Sequence, residues 1–130
     1  MKPSDLTVYI ATRNRAALLA ETLESLKRQT VRRFAILVGD NASTDGTPDL
    51  VRAWEKEGVV SCGLSSQIPV TENIHRGLDL AQTPWVLLYH DDDLMHPSYL
   101  ETVLASLERH PDASVICAGM TSTAQPDPSA

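Results

Sequence analysis

Apolar positions along this chain alternate between two textures. Runs that are apolar at nearly every residue, LTVYIA (6–11), FAILV (34–38) and WVLLY (85–89), read as β-strands covered on both faces. VVSCGL (59–64) and SVICA (114–118) are weaker runs of the same kind. Between the runs, apolar residues return with helical spacing. Leu19, Leu23 and Leu26 follow Asn14 as a candidate N-cap, and Leu50, Val51 and Trp54 follow Thr47 and Pro48, an N-cap and first-turn pair. Ile74, Leu78 and Ala81 follow Thr71. Leu100, Val103, Leu104 and Leu107 form an amphipathic stripe after Pro97 that stops at His110-Pro111. The order β-α-β-α-β-α-β-α-β predicts an α/β fold with right-handed crossovers and a mainly parallel sheet flanked by helices.

Composition narrows the partners. The 130 residues suit one domain, expected over 1–120, with no internal repeat. The Pro/Ser/Ala-rich end, 121–130, is expected to be a disordered tail. A net charge of −6 argues against a general nucleic-acid surface, which needs clustered Lys and Arg. Cys62 and Cys117 match no zinc spacing and are expected as reduced core thiols. The start of the chain carries no long apolar segment, so a signal peptide or membrane span is not expected and a cytoplasmic location is.

In open α/β sheets ligands bind at the carboxyl ends of the strands. Three such ends are strongly polar here: ATRNR (11–15), GDNASTDGT (39–47) and HDDD (90–93). Capping the following helix needs one acid, whereas three adjacent aspartates add repulsion. Carboxylates converging on Mg²⁺ or Mn²⁺ turn that repulsion into coordination, with water and ligand phosphates completing the shell. Because neighbouring strand residues point to opposite faces, one or two of the three acids are expected to ligate.

The two polar loops carry a resemblance. SLKRQT followed by FAILVGDNASTDGT, with LLYHDDDLMHPSYLE further on, is similar to the amino-terminal half of family 2 glycosyltransferases of GT-A fold, over roughly residues 6–118. The resemblance implies a Rossmann-like GT-A nucleotide-diphospho-sugar-binding fold, shortened relative to a full GT-A domain. It also implies a metal-dependent glycosyltransferase using Mn²⁺ or Mg²⁺ and a UDP-sugar. By the same resemblance, Thr12, Arg13 and Asn14 lie against base and ribose, and Asp40 and Asn41 stand at the base. Asp92 would hold the metal, with Asp93 as a further ligand and Asp91 beside the ribose and phosphates; Asn73 and Arg76 would contact nucleotide or phosphate. Family members often carry glycine at the place of Ala42, an aromatic residue at that of Arg13 and an acid at that of His90. The family's acceptor site and catalytic base lie in a further stretch of about a hundred residues. No base is assigned to this chain.

Other readings compete. A nucleotide-binding module without transferase activity would share the same loops. A receiver- or flavodoxin-like domain also alternates strands and helices, but its acids follow the first and third strands rather than the fourth, and the fold alone does not decide function. His75, His96 and His110 read as surface or capping residues, Trp54 and Trp85 as core, and Ser43 to Gly46 as loop-shaping residues. A shortened sheet would leave an edge and an apolar face, so self-association into a homo-oligomer is expected.

Overall fold

A computed structural model of the chain describes residues 1–117 and shows a parallel four-stranded sheet in the order β3-β2-β1-β4. The strands are β1 (Leu6–Thr12), β2 (Ala35–Asp40), β3 (Val59–Ser61) and β4 (Trp85–His90). The helices are α1 (Ala16–Lys27), α2 (Thr47–Trp54), α3 (Val70–Leu80) and α4 (Tyr99–Arg109). β1 is central, pairing Thr12 with Asp40 of β2 and Ala11 with His90 of β4. The chain reverses direction between these elements only through helices, as parallel pairing requires.

Alternation along β1 sorts the two layers. Val8 and Ile10 face a cluster with Leu19, Leu23 and Leu26 of α1 and Leu100 and Leu104 of α4, all buried. Full burial of such side chains contributes about 1.5–3 kcal/mol each. Tyr9 faces the other way, toward α3. It is 1% exposed, and its hydroxyl donates to the backbone carbonyl of Asn73 at 2.7 Å. Two glycines, Gly39 and Gly77, leave room for it. A Cβ at either position would overlap the Tyr9 side chain. Burial also holds the Tyr9 phenol above its ordinary pKa, with partial relief from the Arg76 charge.

The strand and helix order matches the sequence reading, with several corrections. Residues 114–117 are not a strand, and the rest of the expected fifth strand and the tail lie outside the described residues. β4 is not covered on both faces: Leu88 is 43% exposed, and Leu78 and Leu80 of α3 are exposed beside it. Trp54 and Trp85 are partly buried and pack on the core as expected. Cys117 is exposed rather than in the core, whereas Cys62 is half-buried with its thiol pKa pushed up by burial; both are free. β3 is short, but Cys62 and Leu64 still donate to the Val38 and Asp40 carbonyls at 2.8 and 2.9 Å, so the expected run 59–64 does follow β2. None of the described helices is long and apolar enough to cross a membrane.

Candidate nucleotide and metal site

None of the expected N-caps caps its own helix, and Asn14 acts across elements instead. Asn14 has a φ of 52° and lies before the cap position of α1, which is Arg15. Its carboxamide oxygen accepts the backbone N–H groups of Thr44 and Asp45 at 2.7 and 3.3 Å, and its own N–H donates to Ser43 Oγ at 2.9 Å. Asp45 returns the tie by accepting from Ala16 N–H at 3.3 Å, while Thr47 donates to it from backbone and hydroxyl. These bonds, from Thr47 first, hold the Asp45 carboxyl below its usual range. The loops after β1 and β2 are thereby stitched into one edge. Thr47 lies inside α2 rather than capping it, and α3 starts at Val70 behind Pro69, one residue ahead of Thr71.

Arg13 and Asn41 strengthen the same edge. Arg13 Nη1 donates to the carbonyls of Asn41 and Ala42 at 2.9 and 2.8 Å. The Asn41 carboxamide makes a two-way clamp on Ile68, donating to its carbonyl at 2.8 Å and accepting its N–H at 2.9 Å. Asp40, 6% exposed, accepts the Ser43 N–H at 3.2 Å and the Ser43 hydroxyl. An open cleft of about 190 Å³ lies beside it, lined also by Ser43, Arg52, Ser61, Gly63 and Leu64. Ala42 has a φ of 53°, where a side chain costs about 1–2 kcal/mol and glycine does not. Ala42→Gly is therefore expected to raise stability by about 0.5–1 kcal/mol in a denaturant titration.

The acidic loop is set from beneath by α1. Thr22 donates its hydroxyl to the carbonyls of Asp91 and Asp93 at 3.0 and 2.9 Å. Ser25 Oγ accepts the Met95 N–H at 3.0 Å. Gln29 donates to the His96 carbonyl at 2.7 Å and accepts the Leu100 N–H at 3.1 Å. All three are within 1% of complete burial, Thr22 and Ser25 on α1 beside Leu19 and Leu26, and Gln29 just past its end. This gives the SLKRQT segment a physical reason: its polar residues hold the backbone of the acidic loop. Sequence reasoning missed these residues, although buried polar positions inside an apolar stripe are the signal that could have found them.

Above that support, Asp91 is buried and Asp92 exposed. Asp91 Oδ2 accepts the Thr12 hydroxyl at 2.8 Å. Asp91 Oδ1 and Asp92 Oδ2 converge on a single atom, Arg15 Nη1, each at 3.3 Å. Arg15 was not among the sequence candidates. Two carboxylate oxygens sharing one cation centre suit a hard divalent ion whose remaining positions are filled by water and phosphate. Asp93 is not part of the convergence. Its charge adds to burial in raising the Tyr89 phenol pKa. Among the described residues no three His, Cys, Asp or Glu side chains are grouped to hold an ion alone.

Asn73 and Arg76 lie apart, under β2. Asn73 donates to the Gly39 carbonyl at 2.8 Å and accepts from Arg76 at 2.8 Å; Arg76 also donates to the Cys62 carbonyl at 2.7 Å. His96 accepts the Ser98 N–H at 3.2 Å just ahead of α4, whose own N-cap, Ser98, makes no side-chain cap bond. A larger cleft, of about 740 Å³, opens at the opposite, amino edge between α1 and α2, lined by Phe34, Trp54 and basic side chains. It contains none of the acids above, and the carboxyl-edge rule favours the smaller one.

Comparison with known proteins bears on the fold and the family. The chain superimposes on Staphylococcus aureus TarS (residues 1–349) with a TM-score of 0.76 at 24% identity, covering 85% of this chain and 33% of that one. It superimposes on the mannosyltransferase PcManGT from Pyrobaculum calidifontis, solved with GDP-Man and Mn²⁺, with a TM-score of 0.73 at 25% identity, covering 82% and 34%. The fold is thus that of GT-A glycosyltransferases, in part. Residues 7–128 match the family model described as Glycosyl transferase family 2, and the chain belongs to that family. It is 36% identical over 105 residues to validoxylamine A glucosyltransferase of Streptomyces hygroscopicus subsp. jinggangensis, covering 78% of this chain and 25% of the relative. It is 32% identical over 114 residues to a PGL/p-HBAD biosynthesis glycosyltransferase of Mycobacterium tuberculosis, covering 85% and 44%. The chain therefore spans a quarter to under half the length of these curated relatives.

Proposed function

We propose that this chain forms the donor-binding part of a metal-dependent glycosyltransferase that takes a nucleotide-diphospho-sugar, with UDP as the nucleotide. The carrying observation is the convergence of Asp91 and Asp92 on one cation position, at the same sheet edge as Asp40 and its cleft. In this reading Asp92 and Asp91 hold Mn²⁺ or Mg²⁺, and Thr12 orients Asp91. A bound divalent ion there would neutralise the diphosphate and stabilise it as a leaving group. Asp40 would accept the N3–H of uracil, since a carboxylate has acceptor capacity beyond its two bonds to Ser43. TarS is also solved with UDP and with UDP-GlcNAc, which supports the nucleotide, and PcManGT with GDP-Man and Mn²⁺ supports the metal.

In this reading the other candidates take supporting roles. Arg13, Asn14 and Asn41 shape the loop that would meet base and ribose, since their side chains are committed to backbone partners. Asn73 and Arg76 support the sheet edge from below rather than touching the nucleotide. Calorimetric titration with UDP, GDP, CDP and ADP, each with and without Mn²⁺, tests the reading. UDP is expected to bind at least about tenfold more tightly with Mn²⁺ than without, and more tightly than the other three. No binding by any of them would overturn the proposal.

Self-association belongs to the same proposal. Among the described residues β4 is an edge strand with Leu88 exposed, and Leu78 and Leu80 of the adjoining helix are exposed as well, which favours pairing of two copies along this side. Sedimentation is expected to show a species larger than the 14.2 kDa chain, and a monomer throughout the concentration range would remove this part of the proposal.

A further inference from the structure

A cation belonging to the chain itself already sits between Asp91 and Asp92. Arg15 immediately precedes α1, and its Nη1 lies 3.3 Å from an oxygen of each acid. The three side chains differ in freedom. That of Asp91 is 10% exposed and bonded to Thr12, whereas those of Arg15 and Asp92 are 48% and 46% exposed. One partner is fixed, and two can swing into solvent. The contacts are long and use a single nitrogen, unlike the two parallel bonds of a guanidinium–carboxylate fork. Arg15 therefore occupies the acids as a point charge does.

Resting on the metal-dependent nucleotide reading above, we propose that Arg15 is a positioning residue that reserves the acid pair for a cation arriving with its nucleoside diphosphate. While Arg15 bridges the acids, a free divalent ion must displace it and gains correspondingly less. A diphosphate offers the displaced guanidinium a new partner, because its planar N–H donors match phosphate oxygens. The cost of displacement is recovered only when nucleotide and cation are both present, so the two bind cooperatively. Two other guanidiniums near this edge are engaged elsewhere. Arg13 holds the Asn41 and Ala42 carbonyls, and Arg76 holds Asn73 and the Cys62 carbonyl.

The test is Mn²⁺ titration followed by the electron paramagnetic resonance of free Mn²⁺, with and without UDP. Wild type is compared with Arg15→Ala, Arg15→Gln and Arg15→Lys, and with Arg33→Ala, an exposed arginine at the amino edge of the sheet, as a control for net charge. Arg15→Ala and Arg15→Gln are expected to bind Mn²⁺ alone about three- to tenfold more tightly than wild type. The factor by which UDP tightens Mn²⁺ binding is expected to fall about tenfold or more. Arg15→Lys is expected to lie between them and wild type. Unchanged or weaker binding of Mn²⁺ alone by both neutral variants, or an equal gain in Arg33→Ala, would overturn the proposal. A wild type that ignores UDP would sink the nucleotide reading, while the titrations with Mn²⁺ alone would still decide whether Arg15 holds the acids. Circular dichroism melting verifies that the compared variants are folded.

Discussion

Asp92→Ala is expected to lower Mn²⁺-dependent UDP affinity by about 100-fold or more, with little change in thermal stability. The reason lies in the unequal burial of the two acids. Asp91 is 7% exposed and tied to Thr12, so replacing it disturbs the packed edge as well as the site. The Asp92 side chain is 46% exposed and meets the chain at Arg15, so its removal takes away a charge and leaves no cavity. A carboxylate bound directly to a divalent ion is worth several kcal/mol to a diphosphate ligand, and about 1.4 kcal/mol corresponds to each tenfold. Calorimetry with UDP and Mn²⁺, beside a melting curve of the same protein, reads both quantities. Wild-type affinity in the variant would show that the ion is held elsewhere.

The second large effect is expected where nothing catalytic is involved. Gly77→Ala should destabilise the fold by about 2–3 kcal/mol, equivalent to a fall of about 10 °C or more in melting temperature. Helix propensity alone predicts the opposite, because alanine is favoured over glycine inside a helix by about 1 kcal/mol. The new methyl would enter the space of the Tyr9 ring, which the central strand and α3 hold in place from both sides. Gly63→Ala is the matched control. Its Cβ would meet Ser61 Oγ at 3.7 Å, an ordinary contact, and the change is expected to be nearly neutral. Equal melting temperatures for the two variants would show that α3 can move away from β1 at little cost.

Tyr9 and Gly77 illustrate how far the chain could be read in advance. The apolar run at 6–11 identified β1, but not that one of its residues is an aromatic needing two glycines opposite. Such a fit depends on β2 and α3 meeting one strand, which no local pattern carries. Helix order was legible because each helix has an apolar stripe. Helix caps were less so, since Asn14 spends its side chain on the neighbouring loop and Thr47 lies inside α2. The run at 114–118 had the composition of a strand, yet residues 114–117 pair with no strand: composition shows that a segment can join a sheet, not that an edge accepts it.

The polar residues divide the same way. Asn41, Asn73 and Arg76 have the side chains that nucleotide contacts require, and the same side chains satisfy buried backbone groups, which is the use the structure shows. Residue type does not separate those two uses; direction does, and direction comes with the fold. The triplet Asp91 to Asp93 stood out in sequence because adjacent acids add repulsion that a cation would relieve, but sequence did not single out Asp91 and Asp92 as the converging pair. Arg15 was hidden among ordinary surface charges, although a basic residue beside one strand end and two acids beside the next was a clue to their pairing.

The bond from Thr12 to Asp91 joins residues 79 apart, across the pairing of β1 with β4. Contacts between such distant parts of a chain are slow to form, since loop closure must be met before they contribute. Because β2 is nearer to β1 in sequence than β4 is, the β1–β4 pairing closes the longer loop and is expected to form later. A ligand that bridges the first loop and the acids would stabilise the folded state through this latest contact, in proportion to the logarithm of its concentration. On the proposed reading, nucleotide bound at this site would lower the unfolded fraction of the chain that is open to proteolysis.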